Sequence, residues 1–341
     1  MSEPEHKMTR RSTGRIAVAR ALWYVRPGVV ELRNAPLGPL APGHVQVRAR
    51  FTSVSRGTER LILAGLVPPS EHDRMRAPLQ EGQFPFPVKY GYCAVGEVEA
   101  GPNELIGKRV FCLHPHQTVF HVPVGMAVPI AAGVPARRAT LAANMETALN
   151  ALWDSGAGPA DRIVVVGAGI VGLLVAYLAA RLPGAHVTVV DPLEERRAPV
   201  ELFGARYTPA LAGNEPKADV VFHTSASQGG LATAVAAAGM EAIVVELSWY
   251  GNRQIAVPLG GAFHSQRLKL VCSQVGQISP GHRPRWDYRR RLEAALCLLA
   301  DDRLDTLLTA EIAFEEAPAK LPALLAADAP GLAPVIRYPG E

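Results

Sequence analysis

The stretch Gly167-Ala168-Gly169-Ile170-Val171-Gly172 constrains this chain more than any other, because of what surrounds it. Four apolar residues, Ile163 to Val166, precede it, and an apolar helical run follows. A second strand-like segment then ends at Asp191, 19 residues beyond Gly172. Strand, glycine turn, helix and acid at that spacing describe a dinucleotide-binding βαβ unit. Each position has a physical task. Gly167 allows the tight turn, Gly169 lets backbone approach a pyrophosphate, and Gly172 lets helix and strand pack closely. Ala168, Ile170 and Val171 complete a turn whose free N–H groups and helix dipole favour an anion. Asp191 is expected to accept hydrogen bonds from ribose hydroxyls. Its charge repels a 2′-phosphate, so NAD(H) is the expected cofactor, with NADP(H) as the alternative. Arg196 and Arg197 could hold such a phosphate, but the preferred reading puts them on the exposed face of the next helix.

The same region could mislead. Between Arg162 and Arg181 lie 18 uncharged residues, long enough for a membrane span. The internal glycines and the strand that follows argue instead for a buried strand, turn and helix. Lys and Arg exceed Asp and Glu by 35 − 31 = 4, and two of those charges fall in the first fifteen residues. The body is thus nearly neutral, which leaves no nucleic-acid footprint. Four cysteines without CxxC pairing speak against a disulfide framework or a four-cysteine zinc site. A cytoplasmic protein with a small-molecule substrate, and no membrane or nucleic-acid partner, is expected.

Along the chain, residues 1–15 read as a disordered tail. Short strand-like pieces broken by Pro and Gly run from there to about residue 130, interrupted by a Pro-rich loop at 66–87. Loops of that length are often functional, and the substrate is expected beneath this one. Strand–helix alternation then argues for a parallel, doubly wound α/β sheet. WDYRRRLEAALCLLAD reads as an amphipathic helix with Leu292, Ala295, Leu296 and Leu299 on one face. The basic run Arg283, Arg285, Arg289, Arg290 and Arg291 reads as an anion-greeting patch or, preferably, a solvated helix face with Arg289 and Glu293 at i, i+4. The division expected is a β-rich unit from 16–139 and 281–341, with a dinucleotide-binding unit at 140–280.

This order resembles the medium-chain dehydrogenase/reductase superfamily of alcohol dehydrogenase type, over almost the whole chain after residue 16. SVSRGTERLILAG, VKYGYCAVGEV, ANMETALNAL and FHSQRLKLVCSQVG look more narrowly like the branch containing bacteriochlorophyllide hydroxyethyl dehydrogenase. The resemblance implies a GroES-like catalytic domain, a Rossmann domain, an active site in the cleft between them and a homodimer. Zinc members hold their metal where this chain has Ser55, Tyr92 and a position near Ala143, none of them a thiolate or imidazole. Catalytic zinc needs about three N, S or carboxylate ligands, so the chain looks like a zinc-free member with no metal site. His114 and His116, at i, i+2, could share a face, but no third ligand is in register.

Without a metal, a proton donor must act on the substrate oxygen. Tyr92 is the first candidate, given a neighbour such as Lys89 or Arg60 to lower its pKa. Glu59, Glu146 and Ser55 are the others, and Thr58 could relay a proton. Thr147 and Ser225 join the glycine turn and Asp191 in the cofactor set. The expected activity is zinc-independent, NAD(H)-linked interconversion of a secondary alcohol and a ketone. The alternatives are NAD(P)H-dependent reduction of an enone or quinone, and NAD(H) binding without turnover.

Overall fold

The computed structural model describes residues 18–339, so the expected tail at 1–15 lies outside the described residues. One sheet is all parallel. Its six strands run in the order Arg206–Thr208, His186–Val190, Arg162–Val166, Ala218–His223, Ala238–Glu246 and Lys269–Cys272. Strand order therefore reverses beside Arg162–Val166, which opens a crevice at the carboxyl ends of the strands. The valine-rich run at its centre is explained by burial on both faces. Ile163 and Val165 face the helices Ala142–Ser155 and Ile170–Ala179, while Val164 and Val166 face the helix Gln228–Ala237.

The first part of the chain builds two further sheets. Val29–Asn34, Arg20–Arg26, Val88–Lys89 and Glu81–Gly82 form a four-stranded antiparallel one. The other has seven strands, with His44–Ser53 at its centre. Ala310–Ala313 and Pro334–Arg337 return from the end of the chain to join it. The α/β expectation of a β-rich GroES-like unit beside a doubly wound parallel sheet is met.

The C-terminal boundary differs. A return at 281 would place the helix Tyr288–Leu298 with the β-rich unit. Instead it packs on Ala142–Ser155, and its apolar face (Leu292, Ala295, Leu296 and the adjoining Leu299) enters the core of the parallel sheet. The chain rejoins the first unit only at Ala310–Ala313. Among the described residues no helix is long and apolar enough to cross a membrane.

Helix Ile170–Ala179 lies against its own turn. A Cβ on Gly172 would sit 2.0 Å from the Gly167 carbonyl oxygen and 2.6 Å from Thr224 Oγ1. Gly172→Ala is therefore expected to destabilise the protein by about 1–3 kcal/mol, as overpacking does. Urea unfolding with an unchanged midpoint would contradict this packing.

Candidate active site and dinucleotide crevice

The glycine turn is built as its spacing predicts. Gly167 has φ +104°, and a Cβ there would meet the Ser225 backbone at 2.8 Å. Gly169 starts the helix with extended backbone, and a Cβ there would meet nothing within 4 Å. Space in front of a helix start is what close approach by a pyrophosphate requires. Asp191 is tied to this turn: its carboxylate accepts the Ala168 N–H at 2.7 Å and the Leu193 N–H at 2.9 Å. Gly167, Asp191 and Ser225 border one end of a cavity of about 960 Å³ that runs past Val164 to Arg162, His186 and Lys217 at the opposite ends of the strands. The residues at the glycine turn fit a dinucleotide. Ile170 and Val171 are half-buried against the core.

The two arginines after Asp191 are both engaged. Arg197 is ion-paired with Glu194 and Glu201 and lies over the Tyr207 ring. Arg196 is not on an exposed face. It is buried and donates to the Gly331 carbonyl at 2.9 Å, because the C-terminal loop covers it.

The four proton-transfer candidates occupy two separate places. Ser55 and Glu59 lie at the start of the helix Arg56–Ala64. Glu59 is fully buried. It accepts the Ser55 N–H at 2.7 Å and the Tyr24 hydroxyl at 2.5 Å, and it faces His116 Nε2 at 3.0 Å. His116 Nδ1 in turn lies 2.7 Å from Thr52 Oγ1, which lies 3.2 Å from the Tyr338 hydroxyl. Every oxygen of Glu59 is thereby used to tie the helix start to the sheets. Burying a carboxylate demands such partners.

Tyr92 is half-buried and packs against two apolar clusters, one confined to the β-rich unit and one that runs from Cys93, Val95 and Phe111 of that unit into the parallel-sheet unit. Its hydroxyl donates to Thr58 Oγ1 at 3.2 Å. Burial, reinforced by the neighbouring Cys93, pushes the phenol above its usual range, against the pull of bonds to Ser55 and Thr58. The expected lowering by Lys89 or Arg60 does not occur. Lys89 donates to Gln117 and Glu81. Arg60 donates to the carbonyls of Leu325 and Ala326. Tyr92 therefore keeps its proton at neutral pH, which suits a donor and not a base.

Glu146 stands apart, paired with Arg291. Arg291 Nε donates to Glu146 Oε1 at 2.9 Å, and its other nitrogens reach Asn150 Oδ1 and the Val275 carbonyl. The Arg291 side chain is only 2% exposed. The solvated-face reading fails for this arginine, because it points inward from the helix onto Ala142–Ser155. It holds for Arg289, which pairs with Glu293 one turn away. Burial raises the Glu146 carboxyl although Arg291 opposes the shift. Thr147 spends its hydroxyl on the Ala143 carbonyl at 2.9 Å.

His114 and His116 do not form a shared site. His116 belongs to the Glu59 network, whereas His114 stacks on Phe120 at 3.8 Å and bonds the Pro115 carbonyl. Among the described residues no three His, Cys, Asp or Glu side chains gather as a metal-holding group.

One cluster escaped the sequence reading. Ser225 Oγ lies 2.7 Å from His223 Nε2, and His223 Nδ1 lies 2.7 Å from Glu246 Oε2. Tyr250 and the Ser248 N–H also bond Glu246. The signal was present: His223 and Glu246 are the polar terminal residues of two buried strands, and they pair in register. What the sequence lacked was the strand adjacency.

No family model matches this sequence. Solved structures do resemble it. A putative zinc-binding dehydrogenase from Sinorhizobium meliloti, bound to NADP, is 17% identical with TM-score 0.75, covering 94% of this chain and 99% of its own. The 2R,3R-butanediol dehydrogenase of Bacillus subtilis is 16% identical with TM-score 0.75, covering 94% and 100%. Galactitol-1-phosphate dehydrogenase from Escherichia coli is 15% identical with TM-score 0.75, covering 93% and 99%. At these identities the likeness shows the fold.

Two outcomes follow from the buried groups. Burial lowers the His114 pKa from 6.5 to about 3. A depressed histidine stabilises the fold above its unfolded pKa, and that stability is lost as pH falls from about 6.5 toward 3. His114→Phe should flatten the pH dependence of unfolding across that window, and an unchanged slope would count against it. Arg291→Met should cost about 3–5 kcal/mol by leaving Glu146 buried and unpaired. Adding Glu146→Gln should restore most of the loss in thermal melts.

Proposed function

We propose that the protein is a zinc-independent, NAD(H)-linked oxidoreductase that interconverts a secondary alcohol and a ketone at the seam between its two units. The observation that carries this reading is the open backbone at Gly169, held beside Asp191 through the Ala168 N–H. The nucleotide, when bound, gives or takes the hydride. The chain supplies everything else. The N–H groups of Gly169 to Gly172 hold the pyrophosphate, and Asp191 takes the ribose hydroxyls. Thr147 and Ser225 complete the cofactor set. NAD(H) is favoured because Asp191 repels a 2′-phosphate while Arg196 and Arg197 are already bonded elsewhere.

Tyr92 is the proposed proton donor. Its hydroxyl bonds Thr58, keeps its proton at neutral pH, and passes it to the substrate oxygen as negative charge develops there. Thr58 and Ser55 orient the phenol. Glu59 is a positioning residue that fixes the backbone of Ser55, and Glu146 positions the helix beneath Thr147 through Arg291. Zinc independence rests on the donor chemistry of Ser55, Tyr92 and Ala143. Two hydroxyls and a methyl group do not make the N, S or carboxylate set that catalytic zinc takes.

NADH oxidation by bulky ketones, measured with a strong chelator present, tests the reading. Turnover should survive chelation, and Tyr92→Phe should lower kcat by about 10²-fold or more. Turnover abolished by the chelator, or unaffected by Tyr92→Phe, would refute the mechanism. Gly169→Val should leave the melting temperature near that of the unsubstituted protein, because a Cβ there has no protein atom within 4 Å. It should weaken NADH binding by more than about tenfold, or 1.4 kcal/mol.

A further inference from the structure

We propose that Ser225 is an activated nucleophile, with His223 as its base and Glu246 as the positioning acid, able to take an acyl group from a small ester. The claim goes beyond hydride transfer and does not depend on it. The three side chains form a continuous line. Ser225 Oγ lies 2.7 Å from His223 Nε2, and His223 Nδ1 lies 2.7 Å from Glu246 Oε2. That is the distance and order in which a nucleophile, a base and an orienting acid work together.

The surroundings fit the role. Ser225 is exposed, whereas His223 is fully buried. Glu246 is held from two further sides, by the Tyr250 hydroxyl at 3.0 Å and the Ser248 N–H at 2.7 Å. Burial raises its carboxyl, but bonds from His223 and Ser248 outweigh that and hold it below the usual range. An ionised Glu246 accepts Nδ1–H, which leaves Nε2 free to accept the serine proton. Ser227 Oγ lies 2.9 Å from Ser225 Oγ and accepts the Gly230 N–H.

The backbone is shaped for exposure of the hydroxyl. Ser225 sits on the sharp turn between the strand Ala218–His223 and the helix Gln228–Ala237, and the next residue, Ala226, has φ +51°. A left-handed alanine is strained, and such strain collects at working sites. Gly230 makes the room: a Cβ there would lie 2.1 Å from Ser225 Oγ and 2.8 Å from His223 Nε2. A strained strand-to-helix turn that presents a serine is a recurrent way to expose a nucleophile.

The chemistry balances without an added oxidant or reductant. Ser225 Oγ bonds the ester carbonyl carbon, and its proton passes to His223 Nε2. The bond from that carbon to the leaving alkoxide breaks, and the alkoxide departs with the proton. Water then attacks the acyl-serine by the same route, releasing the carboxylic acid and restoring the serine. Because Ser225 borders the nucleotide crevice, this reaction belongs to the nucleotide-free protein.

The test is covalent labelling of the full-length, nucleotide-free chain with a fluorophosphonate, located by peptide mass, together with hydrolysis of p-nitrophenyl acetate. The expected result is labelling at Ser225, with both signals removed by Ser225→Ala at its exposed position. His223→Gln should slow labelling by on the order of 10²-fold. Glu246→Gln should slow it and move its pH midpoint, which a merely structural role would not do. The proposal is overturned if Ser225 stays unlabelled in the folded protein. It is equally overturned if His223→Gln and Glu246→Gln variants with wild-type melting temperatures label as fast as the original. NADH binding, measured separately by fluorescence, reports on the dehydrogenase reading whichever way the labelling falls.

Discussion

The contact between Gly172 and the Gly167 carbonyl governs the second half of the molecule. No side-chain carbon fits between them, so the helix Ile170–Ala179 sits directly on its turn. The helix then begins at Gly169, where a Cβ would meet nothing within 4 Å. The turn also brings the Ala168 N–H onto Asp191, which makes the acid part of the turn. Space in front of Gly169, closeness behind Gly172 and a charge alongside are three results of one packing requirement. The rest of the parallel sheet is consistent with it, since alternate residues of Arg162–Val166 fill the cores on its two faces.

The buried charges tell a different story from the one their types suggest. Glu59 and Glu146 are both proton-transfer candidates by residue type, and both are engaged by buried partners. Glu59 closes a network through Tyr24, His116, Thr52 and Tyr338, and Glu146 is paired through one oxygen with Arg291. An ion pair in such a place gains little net stability over an apolar pair, but it is costly to break. These carboxylates therefore tie together elements that are distant in sequence. Tyr92 is uncharged and half-buried, with its hydroxyl on Thr58, which is why the proposed mechanism gives it the proton.

Much of the candidate site was legible because it is local. Gly167, Gly169, Gly172 and Asp191 interact over a short span whose spacing fixes their geometry, so reading the residues in order was enough. The face formed by Leu292, Ala295, Leu296 and Leu299 was legible for the same reason, since helical periodicity alone sets it. Partners distant in sequence were not legible. The 145-residue separation between Glu146 and Arg291 made a buried anchor read as part of a solvated basic run. The same distance effect misplaced the end of the second unit at 281, because only packing on Ala142–Ser155 decides where Tyr288–Leu298 belongs.

The sequence by itself determined the glycine turn, its acid, the alternation of strands and helices, and the hydroxyl and methyl groups at Ser55, Tyr92 and Ala143. Those are matters of residue type, short spacing and periodicity, which need no knowledge of neighbours. The tertiary structure alone decided which polar groups are spent and which are available. Lys89 and Arg60 turn away from Tyr92 to other partners, Arg196 is buried under Gly331, and His223 meets Glu246 only because their strands are adjacent. A side chain's chemistry is set by its partners within about 3 Å, and the fold chooses those partners.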